Sequence, residues 1–189
     1  MEIEQEEEHK KSGRERETLF RATYRNQTNL RQIVDSKANM IISINTVIIS
    51  SIIAISGYGV VAEKLDFYQY SIIIPMVVIV LSCLTSAILA ILAAQPKIIE
   101  SHFKPNPSEK TSLLFFGVIA DYTQQEYINK MEELLNSRKD IYEHMIIDLY
   151  SQGVILKQKY NLLGYAYKVL MIGFATGVLG FVIFMVFFR

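Results

Sequence analysis

The sequence predicts an all-α integral membrane protein: three transmembrane helices, with a small cytoplasmic helical bundle between the second and third spans. Three observations carry that prediction. First, residues 38–62, 67–96 and 169–188 contain no Asp, Glu, Lys or Arg. A helix rises about 1.5 Å per residue, so roughly 20 apolar residues cross a ~30 Å hydrocarbon core. One Lys or Arg at the centre of such a span costs about 2.5–3.5 kcal/mol. Second, the 72 residues 97–168 are polar and carry helix-capping patterns. Third, the basic residues are distributed asymmetrically. Eight precede the first span and nine lie in 97–168, against Lys64 alone in the short loop and Arg189 alone at the end. The positive-inside rule then puts the N-terminus and residues 97–168 in the cytoplasm, and the C-terminus outside.

Residues 1–13 read as a disordered acidic tail, with little to bury. Ser12 followed by Glu15 forms a capping box, which sets the expected helix start. Phe20, Tyr24, Gln27, Leu30 and Val34 recur at three- and four-residue steps, and neither Pro nor Gly interrupts 14–56. A cytoplasmic stalk helix, 14–37, should therefore run straight into the first span. Along that span Asn39, Ser43, Thr46, Ser50 and Gly57 form a polar stripe.

Residues 63–66 make the turn to the second span. Pro75 should kink that helix or mark its effective start, and Pro96 its end. Ser82, Ser86, Ala90 and Ala94 fall at four-residue spacing, as do Gly173 and Gly177 in the third span. Small residues on one face let backbones approach where lipid supplies no hydrophobic drive. The stripes serve either packing within one three-helix unit or contact between copies of the chain.

Within 97–168 a loop contains Pro105-Asn106-Pro107, and 112–119 is too short and apolar to decide between strand and buried coil. Thr123 with Glu126 forms a second capping box, followed by an apolar face of Tyr127, Ile128, Met131, Leu134 and Leu135. Ser137 with Asp140 marks a third helix start. From it Tyr142, Met145, Leu149, Gly153, Leu156, Tyr160, Leu163, Tyr167 and Leu170 form a seam leading into the third span.

Several classes of function are disfavoured. Lys plus Arg and Asp plus Glu are each 19, so no basic surplus points to nucleic acid. His9, His102 and His144 lack metal-ligand spacing, and the single cysteine, Cys83, lies inside a span. No catalytic motif is present, so neither an enzyme nor a bound cofactor is expected. No carboxylate or lysine sits deep in a span, which argues against a proton relay.

Three strings carry a resemblance: Asn29-Leu30 with Val34-Asp35-Ser36-Lys37-Ala38-Asn39, then Leu113-Leu114-Phe115-Phe116-Gly117, then Lys157-Gln158-Lys159-Tyr160-Asn161-Leu162-Leu163. In this order, around a membrane hairpin and a final span, the chain resembles the Pycsar transmembrane effectors over about residues 30–171. The resemblance implies an antiphage protein of the bacterial inner membrane, working with a pyrimidine nucleotide cyclase. Cyclic CMP or cyclic UMP would activate it to impair membrane integrity and stop growth. The family's often basic residue before the proline closing the second span is Gln95 here, which weakens an anion contact there. For such a ligand the expected cations are Lys37, Lys157 and Lys159, and the stacking partners Phe115, Phe116 and Tyr160. Asp35 or Asn39 would read the base or neutralise a lysine. Assembly of several identical subunits is expected as well. Two other readings compete: a constitutive small channel or transport subunit, and a passive membrane scaffold for a cytoplasmic partner. Juxtamembrane lysines also bind lipid headgroups in the ordinary way.

Overall fold

A computed structural model describes residues 2–61, 70–96 and 112–187. Five helices follow in order: α1 (Glu2–Val61), α2 (Tyr70–Ala94), α3 (Phe116–Ile119), α4 (Gln124–Leu135) and α5 (Arg138–Phe187). No strand occurs among the described residues. Three of these helices are long and apolar enough to cross a membrane, through Gly13–Gly59, Ile73–Ala94 and Arg138–Phe187. The turn expected at 63–66 and the loop around Pro105-Asn106-Pro107 lie outside the described residues.

Local chemistry accounts for the starts of α4 and α5. Thr123 caps α4 through its hydroxyl, which accepts from the Glu126 N–H, while the Glu126 carboxylate accepts from the Thr123 N–H at 2.9 Å. The Thr123 hydroxyl, donating to Glu126 Oε2 at 2.7 Å, and then the Thr123 N–H hold the Glu126 carboxyl below the usual carboxylate range. The Ser137 hydroxyl accepts from the Asp140 N–H at 3.3 Å, and α5 opens at the next residue.

One expectation is corrected and two open choices are narrowed. α1 begins at Glu2, so the Ser12-Glu15 pair lies inside the helix and does not open it. Pro75 lies within α2 rather than at its start. Residues 112–119 form neither strand nor buried coil but a turn leading into α3; Ser112 and Leu113 are buried, whereas Phe116 is exposed.

The chain divides into two compact units. Unit 1 holds Met1–Gln32 and Pro96–Lys157, and unit 2 holds Ile33–Gln95 and Gln158–Arg189. In unit 2 the three apolar helices put small side chains inward: Ala38, Cys83, Ser86, Ala90, Ala93 and Ala166 are all fully buried. Large apolar side chains, among them Val47, Ile53, Leu81, Ile91, Met171 and Ile172, point outward. This arrangement suits a bilayer, where hydrocarbon surrounds the helices and close backbone approach holds them together. A Cβ at Gly173 would fall on the Ser82 side chain, and one at Gly177 on Ile79. The small-residue stripes are thus occupied within one chain, which withdraws them as evidence for contact between copies. A polar chain ties the same helices: Asn45 Nδ2 donates to Ser86 Oγ at 3.1 Å, and Ser86 Oγ donates to the Ala166 carbonyl at 2.9 Å. Links of this kind are worth about 0.6–2 kcal/mol between membrane helices.

Unit 1 packs differently. The rings of Phe20 and Tyr142 stack at 5.6 Å between centroids. The Gln27 amide donates to the Leu149 carbonyl at 3.1 Å. The turn at 112–115 is pinned to α5, with the Ser112 hydroxyl donating to the His144 carbonyl and the Leu113 N–H to His144 Nδ1 at 3.0 Å. His144 is therefore a fastening residue here.

Candidate functional site

The expected site residues fall into both units. Asp35, Lys37, Asn39, Lys159 and Tyr160 belong to unit 2; Phe115, Phe116 and Lys157 belong to unit 1. In unit 2 the structure joins two of them directly. The Lys159 ammonium donates to Asp35 Oδ1 at 2.7 Å, with the Lys159 side chain only 5 % exposed and that of Asp35 39 %. Asp35 thus neutralises a lysine, one of the two roles expected for it. Lys159 as it stands is no open seat for a phosphate, because its charge is already matched and shielded. Lys37, Asn39 and Tyr160 are exposed. In unit 1 Lys157 and Phe116 are exposed, and Phe115 is half-buried.

A cleft of about 670 Å³ lies in unit 1, and none of these eight residues lines it. That volume falls within the range of small-molecule sites. The helical repeat builds one wall, because Glu17, Phe20, Arg21, Tyr24, Arg25, Thr28 and Asn29 recur at three- and four-residue steps along one face of α1. Met145, Asp148 and Leu149 of α5 form the opposite wall, and Leu114, positioned by the turn that His144 pins, completes it.

Each charged group in the cleft has a definite state. Arg21 donates to Glu17 Oε1 at 2.8 Å, and that exposed pair largely cancels itself. Arg25 has no ion-pair partner among the described residues. Asp148 is buried and accepts from the Gln152 amide at 2.7 Å. Burial pushes its carboxyl up from the usual range, while the Gln152 bond and the charge of Arg31 pull part of the way back. The Thr28 hydroxyl is spent on the Tyr24 carbonyl, and Tyr24 itself is 52 % exposed, with much of its ring accessible.

Sequence reasoning missed this cleft. Phe20 and Tyr24 were legible as a stripe, but as packing residues, and Asp148 was one acid among many on a helix. The overlooked signal was the interleaving of Phe20 and Tyr24 with Arg21 and Arg25, an aromatic and a cationic ladder on one helix face.

Comparison with known proteins bears on the whole arrangement. The family model described as the Pycsar effector protein domain matches residues 18–187. No curated protein and no solved structure matches the chain. The matched stretch includes most of the first apolar helix, the whole of the other two and every residue of the cleft except Glu17. The chain is therefore a multi-pass membrane protein that belongs to the Pycsar effector family of antiphage defence.

Proposed function

We propose that this chain is the membrane-impairing arm of a two-component antiphage response, switched on by a cyclic pyrimidine mononucleotide made by a partnering cyclase. Membership of the effector family over residues 18–187 is the observation that carries the reading. The chain sits in the bacterial inner membrane, with its N-terminus and residues 97–168 in the cytoplasm, where such a nucleotide is made. The Lys and Arg distribution supports that orientation.

Three helices enclose no useful pore, so damage to the membrane calls for several copies of the chain acting together. One face supports this. Asn39, Ser43, Thr46 and Ser50 are exposed on α1, on the side away from buried Val34, Ala38, Ile41 and Asn45. Ser43 and Thr46 return their hydroxyls to backbone carbonyls of α1, so the stripe tolerates lipid in single chains. In an assembly the same stripe lines a wet path. The Asp35–Lys159 pair braces α1 against α5 within unit 2, and exposed Lys37 meets lipid headgroups.

The test is depolarisation of liposomes holding the purified full chain, with and without cyclic CMP or cyclic UMP. Nucleotide-dependent collapse of the potential is expected. Leakage of equal size without nucleotide overturns the sensor reading and favours a constitutive channel. An intact potential under every condition favours the scaffold.

A further inference from the structure

We propose that the cleft between α1 and α5 in unit 1 binds a singly charged nucleotide, with its base against Tyr24 and its phosphate on Arg25. The inference rests on the nucleotide-triggered reading above and adds the site and its basis of selection.

The ligand class follows from the lining. A flat ring with one exposed aromatic face beside a guanidinium suits a planar base carrying an anionic group, because stacking and charge-assisted hydrogen bonds are then made together. Tyr24 and Arg25 are neighbours in sequence at the same level of the cleft wall. Asn29, one turn further along α1, offers both a donor and an acceptor to the base edge. Leu114, Met145 and Leu149 close the apolar side.

The charge count narrows the class. Glu17 pairs with Arg21 and the Asp148 carboxyl lies in the field of Arg31, whereas Arg25, which also lines the cleft, has no ion-pair partner among the described residues. A cyclic phosphodiester carries one negative charge. A linear monophosphate carries close to two at neutral pH, its second ionisation lying near 6. The second charge would meet the two carboxyl groups of the cleft, Glu17 and Asp148. The cleft therefore prefers the cyclic form, and the Glu17–Arg21 pair is the device that sets the preference.

Equilibrium binding to the full chain in detergent tests this, with cyclic CMP, cyclic UMP, 5′-CMP and 5′-UMP as probes. The wild-type chain should bind a cyclic probe roughly tenfold or more tightly than its linear counterpart. Arg25→Ala and Tyr24→Ala should each weaken that binding roughly tenfold or more, while Tyr24→Phe retains it. Both positions are exposed, so these variants should keep wild-type helicity and elution, and Arg25→Lys keeps a charge as a second check. Glu17→Gln should free Arg21 and raise affinity for the linear probes, narrowing the ratio. Wild-type affinity in Arg25→Ala and Tyr24→Ala overturns the site while leaving the trigger standing. Equal affinity of the wild type for cyclic and linear probes overturns the charge argument. Failure of the wild type to bind either cyclic probe overturns the trigger, and the site with it.

Discussion

Units 1 and 2 differ in the side chains that hold them together. Unit 2 buries alanines, Cys83, Ser86 and glycines beside Val34, Ile41 and Leu163, and turns most of its Ile, Leu, Val and Met outward. Unit 1 buries Leu113, Leu134, Ile155 and Leu156, stacks Phe20 on Tyr142, and exposes charged groups such as Glu17, Arg21 and Arg25. The difference follows from the solvent each was selected in. Water rewards burying large apolar surface. Hydrocarbon does not, so close approach and polar links decide which helices meet. Unit 2 should accordingly be broken by stranded charge and added bulk, and unit 1 should respond most to pH and to groups in its cleft.

The largest expected effect is in unit 2 and is asymmetric. Asp35→Ala strands the buried Lys159 ammonium and should cost about 3–5 kcal/mol. Lys159→Ala leaves Asp35, whose side chain is 39 % exposed and remains solvated, so its cost should be distinctly smaller. Denaturation of the detergent-solubilised variants measures both. Equal losses would mean that the lysine is not the buried partner.

Added bulk comes next. Gly173→Ala puts a methyl group onto Ser82, at its Cβ and hydroxyl rather than at the far end of a flexible chain, so α2 and α5 must separate. Overpacking of this kind costs about 1–3 kcal/mol. Gly164→Ala, where a Cβ meets nothing within 4 Å, is the control and should be neutral or slightly stabilising. If both variants melt alike, close approach at Gly173 is not what holds the helices.

Properties carried by neighbouring residues were legible in the sequence. The three apolar runs, the capping box at Thr123 and Glu126, and the start at Ser137 are local, and they recur as α1, α2, α4 and α5. What periodicity leaves open is which face meets a neighbour. On α1 the Asn39–Ser43–Thr46–Ser50 stripe stands out, yet the buried polar residue is Asn45, off that stripe and facing Ser86. On α5 the apolar seam passes over Asp148, Gln152 and Lys159, all of which are buried. Counting apolar residues cannot find polar positions whose partners lie far away in sequence. Lys159 needs Asp35, 124 residues earlier. The cleft likewise needs α1, Leu114 and α5 together, so its ladder of rings and guanidinium groups had no visible opposite wall.

The smallest expected effect is also the one most specific to unit 1. Asp148 is buried, and its carboxyl is raised chiefly by desolvation, with the Gln152 bond and the charge of Arg31 lowering it in part. A carboxyl raised in the folded state holds its proton there at pH values where the unfolded chain has lost it. Stability is then highest below the ordinary Asp value, about 3.9, and falls as pH rises from there through the raised value. Asp148→Asn removes the titration but keeps an oxygen that accepts from Gln152. The variant should match the wild type in acid and exceed its protection at neutral pH. Amide hydrogen exchange over residues 145–152, corrected for intrinsic rates between about pH 4 and pH 8, reads the difference. Parallel profiles for the two proteins would place Asp148 in contact with water and show that desolvation does not govern its titration.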